Sequence, residues 1–83
     1  MDARIGVIAV LVHDATRDTV DRLNQYLSDY GDLIVGRMGV PYRERGYKVM
    51  AIIVDGTTDQ LGALTGKLGA LPGITTKATL LTK

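Results

Sequence analysis

Arginine and glycine residues are concentrated in one stretch, "GRMGVPYRERGYK", at Gly36–Lys48. Four basic residues against one acidic residue give it a net charge of +3, and because the whole chain carries +1, the remainder carries −2. The guanidinium groups of Arg37, Arg43 and Arg45 are planar donors that suit a carboxylate or a phosphate. Gly39 permits a close backbone approach beside them. These four residues form a candidate site for a small anionic effector.

The same charges have other interpretations, which the sequence leaves open. They can keep an exposed hairpin solvated and protect an edge strand from unwanted pairing. They can also pair with acidic residues of a second subunit, or contact a macromolecular partner.

A second candidate site is the motif "VDGTTD", which precedes a predicted helix. Gly56 and Thr57 lie where the free N–H groups of a helix start favour anions. Thr57 also forms a capping box with Gln60, since the hydroxyl accepts the third helical N–H while the amide reaches back. Structural capping is the favoured interpretation of this motif.

Catalytic and metal-binding groups are scarce. His13 is the only histidine, Ser28 is the only serine, and there is no cysteine. The acidic residues show no spacing that pairs a nucleophile with a base. We therefore expect no enzyme activity, no catalytic residue, no metal site and no cofactor.

Other partners are disfavoured by composition. A net charge of +1 and the absence of Phe and Trp argue against direct binding of nucleic acid, and the four tyrosines are expected outside the central strands. No apolar run approaches the roughly 18–20 residues of a membrane span, and the first residues do not resemble a signal peptide. A cytoplasmic location is the default expectation.

The chain contains an internal repeat. "VIAVLVHDAT" at 7–16 aligns with "VMAIIVDGTT" at 49–58, and each is an apolar, β-rich run that ends in an acidic turn with threonine. A helical stripe follows each run. The stripes are Val20, Leu23, Leu27 and Tyr30, then Leu61, Leu64, Leu68 and Leu71.

A further apolar run closes each half, at 33–40 and 74–81. The order strand, helix, strand, strand, helix, strand, with right-handed crossovers, predicts an α+β, ferredoxin-like βαββαβ fold. It has a four-stranded antiparallel sheet with two helices on one face. We expect one domain over residues 1–83. Pro41 is expected to end the second strand, and Gly36 and Gly39 suggest a bulge within it.

Both faces of the two central strands are apolar, so one sheet face is left without a helix cover. An uncovered apolar face usually marks an interface. The second helix also carries three glycines opposite or beside its leucine stripe. Glycine destabilises a helix interior, so these residues indicate a close approach by the first helix, a ligand or another subunit. We predict a homo-oligomer, a dimer or a tetramer, with these interface residues: Ile8, Val10, Val12, Met50, Ile52, Val54, Gly62, Gly66 and Gly69.

Three contiguous blocks carry a family resemblance: "GRMG" followed by "PYRE", "VDGTTD" and "GALTGKLG". Through them, and along 5–83, the chain resembles the iron-only (FeFe) hydrogenase system regulators. That family is similar to ACT domains and to the effector domain of the nickel-responsive repressor. The resemblance implies a non-catalytic regulatory module that is oligomeric and senses a small effector between subunits. A protein-interaction module without a small ligand, serving a protein partner, is the alternative.

Overall fold

Alternating runs of β-branched residues and leucine stripes fold into the predicted sequence of elements. The computed structural model describes residues 3–82. The strands are β1 (Ala3–Val12), β2 (Ile34–Tyr42), β3 (Tyr47–Thr57) and β4 (Ile74–Leu80), and the helices are α1 (Arg17–Asp29) and α2 (Thr58–Gly69). Two short 3-10 turns, Gly31–Leu33 and Arg43–Arg45, lead into β2 and β3.

The four strands form one antiparallel sheet in the order β2-β3-β1-β4. β1 and β3 are central, as the repeat predicts, and Ile8 lies directly opposite Ile52. Leucines from both helices pack against alternate residues of the strands, those on one face of the sheet, and together they form a single buried cluster. The helices therefore cover one face only, and the predicted ferredoxin-like fold is confirmed.

Both helices begin at a threonine cap. Thr16 accepts a hydrogen bond from the Thr19 backbone N–H at the start of α1. At α2, the Gln60 N–H donates to Thr57 Oγ1 at 3.1 Å, while the Thr57 N–H donates to Gln60 Oε1 at 2.9 Å. This is the predicted capping box. All four leucines of the second stripe are buried, whereas Leu23 and Leu27 are the buried members of the first.

The loop between α2 and β4 depends on Gly73. Its φ angle of 75° lies in the left-handed region, which glycine adopts without steric cost. Its carbonyl accepts hydrogen bonds from the backbone N–H groups of His13 (2.9 Å) and Asp14 (3.2 Å). A Cβ at Gly73 would collide with the Asp14 backbone. This turn fixes the loop after β1 against the loop before β4.

The β2–β3 hairpin differs from expectation at its end. β2 continues to Tyr42, with Pro41 opposite Lys48 and Tyr42 opposite Tyr47, so the prediction that Pro41 ends the strand is wrong. Pro41 is tolerated because β2 is an edge strand, where a missing N–H need not break a ladder bond. Tyr47 also begins β3, contrary to the expectation that every tyrosine lies outside the central strands.

The hairpin extends beyond the helices. The 11 residues of β3 span about 33 Å at roughly 3.3 Å per residue. The 12 residues of α2 span only about 18 Å. The molecule is accordingly elongated, with extents of 41 × 22 × 17 Å. On the helix side of β3, burial begins at Met50, and the one strand residue that precedes it on that face, Lys48, is exposed.

Candidate functional site

The sheet face that carries no helix is the most extensive candidate surface, and we call it the open face. Antiparallel pairing places Val7 opposite Ile53, Ala9 opposite Ala51, and Leu11 opposite Val49, and directly paired residues share a face. Its exposed apolar side chains come from three strands: Ile5, Met38, Val40, Val49 and Ile53. The centre of the open face is apolar, as the sequence predicts.

The residues assigned to this interface belong to the other face, and that assignment is wrong. Ile8 and Ile52 are 1% and 0% exposed, whereas Ile5 and Ile53 are 42% and 45% exposed. Five of the six strand residues are in the hydrophobic core beneath the helices, and the sixth packs against it: Ile8, Val10, Met50, Ile52 and Val54, then Val12. The five core residues hold the helices to the sheet, so they are inaccessible to a second subunit.

The hairpin arginines do not converge. Arg37 pairs with the buried Ile52, so it lies on the helix side of the sheet. Arg43 lies six residues farther along the chain, in the turn, roughly 18–20 Å away along an extended strand. The Arg45 guanidinium lies 5.3 Å from the ring centroid of Tyr47, at the far end of β3. Arg37 is therefore separated in space from Arg43 and Arg45, so the predicted cluster of three guanidinium groups does not form.

The cationic side chain that lies beside Gly39 is Lys48, and Arg43 and Arg45 lie farther along the hairpin. A Cβ built on Gly39 would lie 3.1 Å from Lys48 Cε and 3.8 Å from Lys48 Nζ. Gly39 thus provides the close approach that the sequence indicates, and a lysine side chain uses it. Arg37, Gly39 and Lys48 share the helix side of the sheet, and we call them the hairpin patch. The sequence indicates the charge of Lys48 but does not indicate its contact with Gly39, because that contact depends on strand pairing.

The predicted bulge lies just before this patch. The register between β2 and β3 shifts between Ile34 and Gly36. The extra residue, Val35, is 69% exposed. A bulge of this kind bends the strand and increases its local twist, and this one lies two residues before Arg37.

Gly56 and Thr57 have structural roles. Gly56 is buried, and a Cβ there would lie 3.0 Å from Leu33 Cδ2 and 3.1 Å from Gln60 Oε1. Thr57 is occupied by its capping box. Both lie at the opposite end of β3 from the hairpin turn. One chain therefore does not combine them with the hairpin arginines in a single site.

The three glycines of α2 divide into two groups. A Cβ at Gly62 or Gly66 would meet nothing within 4 Å, whereas one at Gly69 would lie 2.9 Å from Thr76 Oγ1 of β4. Close packing against α1 therefore explains neither Gly62 nor Gly66. Both border an open groove between the helices, and both remain available to a ligand or another subunit.

Lys67 links the two helices at this groove. Its Nζ lies 5.2 Å from the Tyr30 ring centroid and 5.7 Å from that of Tyr26. A hydrogen bond with Tyr30 and the electrostatic effect of the same residue raise the pKa of Lys67 above its usual value of 10.5. The side chain therefore stays cationic over the two rings.

The single histidine contacts a threonine of β4. His13 Nε2 lies 3.1 Å from Thr75 Oγ1 at the surface. Within residues 3–82, no group of three or more metal-ligating side chains could hold an ion. Neither described helix is long and apolar enough to cross a membrane.

Comparison with known proteins gives one family. The model described as "TM1266-like: Iron-only hydrogenase system regulator, putative" matches residues 4–78. Among solved structures, the uncharacterised protein TM1266 from Thermotoga maritima superposes with a TM-score of 0.90 at 28% identity, over 96% of this chain and 99% of that one. No curated protein matches the sequence.

More distant structures share the fold alone. The ACT domain from GTP pyrophosphokinase of Chlorobium tepidum has a TM-score of 0.75 at 16% identity, over 93% of this chain and 99% of that one. The regulatory subunit of aspartate kinase from Thermus flavus has a TM-score of 0.54 at 15% identity, over 98% and 59%. The ACT-like fold inferred from the sequence is confirmed.

Proposed function

Because this chain belongs to the TM1266-like family of iron-only hydrogenase system regulators, we propose that it is a non-catalytic regulatory module that self-associates and senses a small anionic effector. The family description and the ACT-like fold support a regulatory role. The same description suggests a hydrogenase system as the regulated process.

The open face is the observation that carries this proposal. Two central strands present apolar side chains there without a covering layer, and Ile53 is 45% exposed at the middle of β3. Apolar sheet faces pack against each other at a separation of about 10 Å. A second copy would supply the layer that the fold omits, which is why we propose a homo-oligomer.

The hairpin patch is the proposed effector contact. Arg37 and Lys48 have no carboxylate partner among the described residues, and the Lys48 side chain packs over the exposed Gly39. Two cations on one face of the hairpin suit a carboxylate or a phosphate. Arg43 and Arg45 lie farther along the hairpin and form no part of this patch.

Light scattering on size-exclusion fractions tests the self-association. At micromolar concentration we expect a dimer or a tetramer. Ile53→Asp should dissociate it, because a carboxylate would be buried without a partner in the interface. Asn24→Asp, on the exposed side of α1, adds the same charge and should leave the oligomer intact. A monomeric wild-type protein would refute the proposed assembly.

Thermal-shift measurements test the effector. Amino acids, nucleotides, carboxylates and metal ions would be compared, and we expect one anionic class to raise the melting temperature. At a concentration near 100 Kd the shift should exceed about 5 °C. Arg37→Ala should abolish it, and the matched Arg43→Ala should retain it. An intact oligomer with no shift from any class would favour the alternative, a protein-interaction module without a small ligand.

A further inference from the structure

The groove between α1 and α2 lies on the helix layer, on the other side of the sheet from the open face. It encloses about 450 Å³. Arg22 and Tyr26 line it from α1, and Gly62, Gly66 and Lys67 line it from α2. The proposed function uses none of these residues, so the groove is an independent candidate for binding.

Two cations and no acid line this groove. Lys67 is held over α1 by the rings of Tyr26 and Tyr30, with its Nζ 5.7 Å and 5.2 Å from their centroids. Arg22 has no carboxylate partner among the described residues. Positive charge therefore lies on both walls of the groove, and the acid that acts on Lys67, Asp29, is not among the lining residues.

The rest of the lining is small or apolar. Leu71 and the aromatic ring of Tyr26 are part of this lining. At Gly62 and Gly66, the space where a side chain would stand is empty to 4 Å. The groove of about 450 Å³ therefore has open space beside both glycines, and Arg22 and Lys67 line the same groove.

We propose that this groove binds a small organic dianion with a ring-sized apolar body, such as an aryl phosphate. The anionic head contacts Arg22 and Lys67, since charge-assisted donors on two walls can hold several oxygens together. The ring packs against Tyr26 and the glycine floor. This site is independent of the effector contact at the hairpin patch.

Phenyl phosphate is the probe, and nitrogen-15 NMR of the full chain is the readout. Titration to about 10 mM should shift the backbone amide resonances of Gly62 and Gly66 in a saturable manner. Inorganic phosphate, which lacks the ring, and phenol, which lacks the charge, should each bind at least about tenfold more weakly. Unshifted glycine amides, or equal binding of either half-probe, would overturn the proposal.

Three variants place the binding site. Arg22→Gln should weaken phenyl phosphate binding by about tenfold, and Gly66→Leu should abolish it by filling the groove. Arg17→Gln, on the same helix but outside the groove, is the matched control and should bind like the wild type. Equal loss in Arg17→Gln and Arg22→Gln would show a general effect of charge and contradict the assignment. Saturation that appears only at hairpin amides would contradict it as well.

Discussion

At the scale of single residues, the structure changes which cations act together. The sequence groups Arg37 with Arg43 and Arg45 because they are neighbours in the chain, but an extended strand separates Arg37 from the other two. Lys48 comes close to Gly39 because the antiparallel hairpin folds it back. Along an extended strand each residue adds roughly 3.3 Å. Charged residues that are several positions apart in one strand are therefore far apart in space, even when they look close in the sequence.

Two glycines have similar positive φ angles but different surroundings, so alanine substitutions there can be compared directly. Gly46 has a φ of 69° and open space around it, whereas Gly73 has a φ of 75° and faces the Asp14 backbone. Gly46→Ala should cost about 1–2 kcal/mol of unfolding free energy, from the left-handed conformation alone. Gly73→Ala should cost more than about 3 kcal/mol, because a collision with backbone adds to that strain.

Urea unfolding at one fixed protein concentration measures both changes, since self-association would make stability depend on concentration. Equal costs at Gly46 and Gly73 would contradict the packing of the loop before β4 against the loop after β1.

At the scale of elements, α2 contains glycines that packing within the single chain does not explain. Its buried leucines and its capping box account for one face and one end. Gly62 and Gly66 lie on the other face with nothing within 4 Å of a Cβ. A glycine in a helix interior costs about 0.8–1 kcal/mol relative to alanine, so these residues reduce the stability of the isolated chain.

Alanine substitutions test this directly. Gly62→Ala and Gly66→Ala should each raise the unfolding free energy by about 0.5–1 kcal/mol, because the methyl group meets no neighbour. Gly69→Ala is the control and should gain less or lose stability, since its Cβ would press on Thr76 Oγ1. Thermal and urea unfolding give the comparison. Destabilisation by Gly62→Ala would mean that another part of the assembly occupies that space.

At the scale of the whole molecule, the hairpin extends past the helix layer and the core is concentrated at the other end. The fully buried side chains include Ile8, Ile52, Leu64 and Leu68. The residues from Pro41 to Gly46 are all exposed. Stability should therefore be uneven along the sheet, since local opening depends on the apolar contacts that cover each segment.

Amide hydrogen exchange measures this gradient. We expect the backbone amides of Ile52 and Val54 to exchange slowest, by global unfolding, and those of Lys48 and Gly39 to exchange at least about tenfold faster. In Ile53→Asp, the central amides should keep their rank above the hairpin, because the helices cover the opposite face. Uniform protection along β3 would contradict a core concentrated at one end.

Much of the fold followed from local sequence patterns. The repeat and the leucine stripes predict the element order, because periods of 2 and 3.6 residues distinguish strands from helices. Thr57 and Gln60 predict the start of α2, since a capping box requires only local geometry. The contiguous blocks of residues predict the family that the comparisons then gave.

The tertiary structure alone decided which faces and side chains are available. β1 and β3 are apolar on both sides, so the pattern of their residues does not show which face the helices cover. Only the packing of α1 and α2 buries Ile8 and Ile52 and leaves Ile5 and Ile53 exposed. Likewise, the pairing of β2 with β3 brings Lys48 to Gly39 and leaves Arg43 distant. Sequence periodicity determines elements because it is local, whereas surfaces depend on contacts between residues far apart in the chain.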